Sequence, residues 1–174
     1  MAIGSAASAP KAATVDFPAL YQAQWWPMVR LATGLVDDVA SAEDVVQDAF
    51  SAMYRRLDQI RDHSAAVGYL RTAVVNAARS ALRRRGAARR HLRLVNAEES
   101  EPADDASMRS AEHDLARTAL RGLPDRQREV LTLRYLADLS DEEIARTLGI
   151  GEGGVRSAAS RGLATLRRTL GGQL

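Results

Sequence analysis

Cysteine is absent from the 174 residues. That excludes disulfides and thiolate metal sites and fits a reducing compartment. Lysine is nearly absent as well: Lys11 is the one lysine among 24 basic residues, so the other 23 are arginine. Arginine carries a permanent charge and a planar fork suited to phosphate. Aromatic residues make up only 5%. The histidines, His63, His91 and His113, lack ligand spacing, so no metal or cofactor is expected. No apolar run approaches the roughly 20 residues of a membrane span. Met1 to Ala13 shows no basic cluster followed by an apolar core, as a secretory signal would. The chain therefore reads as cytoplasmic, without membrane insertion. Neither a nucleophile elbow nor a phosphate loop is present. The paired acids Asp37-Asp38 and Glu142-Glu143 read as a loop and a helix cap, and catalysis is not expected.

What is present is helical periodicity. Residues 1–14 are small and featureless and read as a disordered tail. Phe17, Leu20, Tyr21, Met28, Leu31 and Leu35 share one helical face, with a break expected at Pro27. Ser41 reads as the N-cap of a helix running to about Leu57, with Val45, Val46, Ala49, Phe50 and Met53 inward. Asp44, Gln47, Asp48, Ser51 and Arg55 lie on its other side. A loop from Asp58 to Ser64 leads to a third helix that buries Val67, Leu70, Val74, Ala77, Ala78 and Ala81. Three such helices close a small bundle over residues 15–95. Residues 96–109 hold Glu98, Glu99, Glu101, Asp104 and Asp105 with Pro102, the composition of an acidic flexible linker. Residues 110–174 read as a second helical bundle. The fold expected is all-α, two small helical bundles joined by that linker.

Two surfaces carry chemistry. In the second bundle, Ser140-Asp-Glu-Glu143 forms a capping box, Gly149 terminates that helix, and a longer helix follows from about Glu152. This is a helix-turn-helix, whose second helix lies in the major groove. Its outward face carries Arg156, Ser157, Ser160 and Arg161, with Arg167 and Arg168 further along. Arginine reads guanine or grips phosphate, and serine does either more weakly. The second surface is an arginine run, Arg79, Arg83, Arg84, Arg85, Arg89, Arg90 and Arg93, with no acid among residues 79–93. Such a run is stabilised by a polyanion. Gly149-Ile-Gly-Glu-Gly-Gly154 matches the dinucleotide fingerprint literally, but a helix precedes it and no acid follows at the required distance, so it is a turn. A stand-alone helix-turn-helix regulator is the alternative reading. It requires a strand–helix receiver domain, whereas residues 16–95 read as helices throughout.

Three segments resemble a known family. Ser41-Ala-Glu-Asp-Val-Val-Gln-Asp-Ala-Phe50, Tyr69-Leu-Arg-Thr-Ala-Val-Val-Asn76 and Leu123-Pro-Asp-Arg-Gln-Arg-Glu-Val-Leu131 are similar to extracytoplasmic-function (ECF) sigma factors of the sigma-70 family. The stretch from Ser157 to Arg167 resembles the actinobacterial SigE-family subgroup. The resemblance implies a partner, the core of bacterial RNA polymerase, met through the clamp helices of its largest subunit by Asp44, Gln47, Asp48 and Arg55. It implies promoter DNA as the second partner. The −10 element would meet a base-capturing loop, Ile60, Arg61, Asp62, His63 and Ser64, and the helix positions Asn76, Arg79 and Arg83. The −35 element would meet Arg156, Ser157, Ser160 and Arg161. An anti-sigma factor is a further candidate partner. Gly151, Gly154, Ala158 and Tyr69 depart from the family's usual residues.

Overall fold

Asp16 caps the first helix, α1 (Phe17–Thr33), its carboxylate accepting the amide of Ala19 at 3.1 Å. The computed structural model describes residues 15–60, 62–95 and 111–171. The expected tail 1–14, linker 96–109 and loop residue Arg61 lie outside the described residues. The break expected at Pro27 does not occur, because α1 runs through it. Proline forfeits one amide donor and crowds the preceding turn, at a cost of about 3 kcal/mol. Leu20 before it and Met28, Val29 and Leu31 after it are all buried in one core. Each such burial contributes about 1.5–3 kcal/mol, so a continuous helix wins.

The second helix, α2 (Val39–Tyr54), is capped by Asp38 and not by Ser41. Asp38 accepts the Ser41 amide at 2.7 Å and its hydroxyl at 2.8 Å. Ser41 is thereby buried inside the first turn. The carboxylate wins the cap because Arg85 also reaches it, at 2.8 Å, and adds charge to the hydrogen bond. The helix stops at Tyr54, short of Leu57, and a 3-10 turn covers Leu57–Gln59. Helix α3 (His63–Val95) packs Ala66, Leu70, Val74, Val75 and Ala78 against α1 and α2. Phe17, Tyr21, Trp25 and Phe50 close the end of this bundle as an aromatic cluster.

The second bundle consists of α4 (Ala111–Arg121), α5 (Asp125–Tyr135), α6 (Asp141–Leu148) and α7 (Glu152–Gly171). The described residues form helices, turns and loops, without a strand. The capping box at Ser140 and Glu143 is present in both directions, and Gly149 ends α6 in the left-handed region at φ 64°. The glycine-rich stretch is the turn into α7. On α7, Val155 and Ala159 are buried as expected, while Leu163, Leu166 and Leu170 are half-buried. Ala158 and Gly162 are buried instead. A Cβ on Gly162 would lie 2.8 Å from Leu131 Cδ1, so this glycine allows α5 and α7 to approach closely.

The stripe expected on α5 was Val130, Leu133, Leu136 and Ala137. Val130 and Leu133 are buried, but Leu136 and Ala137 are half-buried beyond the helix end. Arg128, Glu129, Leu131 and Thr132 are buried as well. A helix covered on consecutive positions is enclosed on more than one side. Helix α7 covers one side of α5, and the first bundle covers another.

Gly153 and Gly154 lie in the first turn of α7, and neither needs to be glycine. A Cβ on Gly153 would meet nothing within 4 Å, and one on Gly154 would make ordinary contact with Ile150 at 3.7 Å. Replacing either by alanine is therefore expected to stabilise the protein by about 0.5 kcal/mol, through reduced backbone entropy of the unfolded chain. Urea denaturation reads this directly. Destabilisation by both variants would mean that this turn is not helical in solution.

Candidate polymerase and nucleic-acid interfaces

Asp44, Gln47 and Asp48 stand at helical spacing on α2, and all three are exposed. The inward positions Val45, Val46 and Ala49 are held in the core. Arg55 is the exposed C-cap residue of the same helix. The four residues thus form one polar strip fixed by the packing beneath it.

The residues expected at the −10 element fall into two groups. Asp62, His63 and Ser64 are exposed at the start of α3. Asp62 accepts the Ala65 amide at 2.9 Å and the Ser64 hydroxyl at 2.7 Å, so it caps this helix. Ile60 is half-buried and packs on the core, which leaves little of it available to a base. Asn76, Arg79 and Arg83 belong to the second group. Asn76 lies about 18 Å further along the helix axis than Ser64, at the usual rise per residue.

Arg83 is exposed and donates to the Ser80 hydroxyl at 3.0 Å. Arg79 is held differently. Its Nε and Nη2 donate to the two carboxylate oxygens of Glu129, on α5, at 2.5 and 2.8 Å. The hydrogen bond from Glu129 raises the Arg79 guanidinium above its ordinary range. Arg85, counted above in the basic run, turns inward to Asp37, Asp38 and Ser41 and ties α3 to the start of α2. Arg79, Arg83, Arg85, Arg90, Arg126 and Arg128 line a cleft of about 740 Å³ between the two bundles.

The −35 candidates lie together. Arg156, Ser157, Ser160 and Arg161 are all exposed on α7. Arg156 pairs loosely with Glu152 at 3.3 Å, and Arg161 donates to the Ser157 hydroxyl at 2.8 Å. Exposed pairs of this kind are worth little and are readily exchanged for a ligand. Ala158, noted above as a departure in this helix, is buried and belongs to the core.

Glu129, Thr132, Arg128, Gly34 and the Arg71–Glu143 pair were not singled out from sequence. One signal was available: Val130, Leu131 and Leu133 cannot all lie on a single helical stripe. A helix with such a pattern must be covered on a second side.

Two carboxylates in the caps make the fold sensitive to acid. Burial would raise the Asp38 carboxyl, but the Ser41 amide and hydroxyl together with Arg85 outweigh it and hold it below its ordinary value of 3.8. The Ser140 amide, aided by Arg71 and Arg146, holds Glu143 below 4.5. Depressed carboxyls stabilise the fold fully above their ordinary values, and that contribution is lost as pH falls through the depressed ones. The melting temperature is expected to drop below about pH 4, and less steeply in Asp38→Asn and Glu143→Gln, which start lower. Thermal melts followed by circular dichroism across this range check it; parallel curves for wild type and variants would dissociate the caps from the acid sensitivity.

No helix among the described residues is long and apolar enough to cross a membrane, and no group of candidate metal ligands occurs among them.

The comparisons with known proteins agree with this geometry. Residues 26–88 match the family model for sigma-70 region 2, and residues 113–166 match that for sigma-70 region 4. The chain is 35% identical over 145 residues to the RNA polymerase sigma-E factor of Streptomyces coelicolor, covering 82% of this chain and 79% of that one. It is 31% identical to the ECF RNA polymerase sigma factor SigM of Mycobacterium tuberculosis, covering 83% and 70%. Among solved structures it resembles the sigma factor RpoE of Bartonella quintana, crystallised with the anti-sigma factor NepR. The TM-score is 0.72 at 27% identity, over 89% of this chain and 96% of that one. CnrH, solved with the cytosolic domain of CnrY, shares the fold with a TM-score of 0.68 at 24% identity, over 91% and 89%. Helices where a receiver domain would need strands, two family regions in order and relatives matched over most of their length leave one reading: the chain belongs to the sigma-70 family, as an extracytoplasmic-function RNA polymerase sigma factor.

Proposed function

We propose that the two bundles divide the work of a sigma factor between named surfaces. The strip of Asp44, Gln47, Asp48 and Arg55 docks on the clamp helices of the core polymerase. The start of α3 and its Asn76, Arg79 and Arg83 face the opened −10 strand, and Arg156, Ser157, Ser160 and Arg161 face the −35 duplex. The observation that carries this reading is the separation of roles by helix face: on α2 and α7 the inward residues are fully packed and the outward ones are polar and exposed.

The role is non-catalytic and cytoplasmic. The arginines supply phosphate contact and base readout, and strand capture offsets the stacking lost on opening, a few kcal/mol per flipped base. An anti-sigma factor is a further partner, supported by the relative solved with NepR.

Run-off transcription from a panel of linear promoters, with core polymerase and with or without this protein, tests the proposal. Promoter-specific transcripts should form only when the protein is present, and Arg79→Ala should reduce them. Binding to duplex DNA without association with core polymerase, and without transcripts, would overturn it.

A further inference from the structure

Gly34 is the C-cap residue of α1, with φ −79° and ψ −15°. Any residue adopts that conformation, so the local backbone does not require glycine here. The other bundle does. A Cβ on Gly34 would stand 2.6 Å from Thr132 Cγ2 and 2.7 Å from Leu136 Cδ1. Thr132 is fully buried and its hydroxyl donates to the Gly34 carbonyl at 3.2 Å, across 98 residues of chain. The two bundles therefore meet at a fitted contact, with shape and hydrogen bonding both satisfied.

Beside this contact lies the Arg79–Glu129 pair. Glu129 has a side chain only 8% exposed, and its carboxylate meets the guanidinium with both oxygens. A carboxylate in this fork geometry presents to arginine what a phosphate would present. Arg126 approaches the same carboxylate at 3.3 Å, and Arg71 reaches Glu143 of α6 at 3.7 Å. All of these except the Arg126 contact cross between the bundles.

We propose that the free protein closes on itself and thereby inhibits its own DNA binding, with Glu129 of α5 occupying the guanidinium of Arg79 in place of a DNA phosphate. The inference rests on the reading that Arg79 meets promoter DNA. Arg79 cannot hold Glu129 and a phosphate in the same fork. DNA must displace Glu129, whereas a partner that holds the bundles apart releases Arg79 beforehand. A population kept closed lowers the apparent affinity in proportion to the open fraction.

The chain has no cysteine, so Gln22→Cys on α1 and Thr169→Cys on α7, both exposed positions, accept spin labels without competition. Pulsed electron paramagnetic resonance then reads the distance between the bundles in the labelled parent, in Gly34→Ala and in Glu129→Gln. The parent should give one narrow short distribution, and both variants should shift to longer and broader ones. Affinity for a random-sequence DNA fork should rise by about tenfold in the variants, as a largely closed population opens. A broad long distribution in the parent, or unchanged short distances in both variants, would reject the closed form. Opening without tighter DNA binding would reject the inhibition. Glu129→Gln preserves side-chain shape and keeps the test sound if Gly34→Ala fails to fold. Full transcription by Arg79→Ala would remove the DNA role of Arg79, and the inhibition with it, while the distances still decide closure.

Discussion

Replacing Asp44 and Gln47 together by alanine is expected to lower run-off transcription by about a hundredfold, since central interface side chains commonly cost 2 kcal/mol or more when truncated. Both residues are exposed on α2, away from its packed side. Alanine is the best helix former, so the helix itself should not suffer. The melting temperature of the double variant should match wild type, and its binding to a DNA fork should not change. Co-elution with core polymerase should be lost. Full transcription by the double variant would exclude this strip from the polymerase contact. Loss of transcription together with a lowered melting temperature would mark the two residues as structural.

The double variant Arg156→Ala with Arg161→Ala is expected to lose promoter preference by about a hundredfold, because each good arginine contact to a base contributes about 1–3 kcal/mol of discrimination. Neither arginine supports the fold. Arg156 reaches only Glu152 one turn away, and Arg161 only the Ser157 hydroxyl. Substitution should therefore leave stability within about 0.5 kcal/mol, as for surface sites free of special features. The measurement compares transcription from a preferred promoter with that from a −35 scrambled one. Wild type should separate the two, and the variant should not. Single substitutions assign the roles: loss at one promoter position marks base readout, and uniform weakening with a shallower salt dependence marks phosphate contact. An unchanged preference would remove this face of α7 from −35 recognition.

The two surfaces differed in how far they were legible in the sequence. The strip on α2 and the outward face of α7 followed from periodicity, because each helix buries one stripe and leaves the other to solvent. The capping box at Ser140 and the turn at Gly149 were equally legible, since both depend on residues within a few positions of each other. Pro27 was misread because its local penalty is smaller than the burial of Leu20, Met28, Val29 and Leu31 around it. The cap of α2 was misread because Asp38 and Ser41 are both capping residues, and what separates them is Arg85, some 47 residues away. Helix α5 was the largest gap: a stripe was expected where a helix enclosed from two directions stands.

The sequence by itself determined that this protein is a pair of helical bundles, where most helices begin and end, and which faces remain polar. Those properties arise from interactions within a turn or two, where few alternatives compete. Only the tertiary structure decided that Arg79 is held by Glu129, that Arg85 turns inward while Arg83 stays exposed, and that Gly34 is small because Thr132 lies over it. Arginines in a run are alike in sequence. Which of them finds a carboxylate depends on how two distant helices pack, and no spacing along the chain records it.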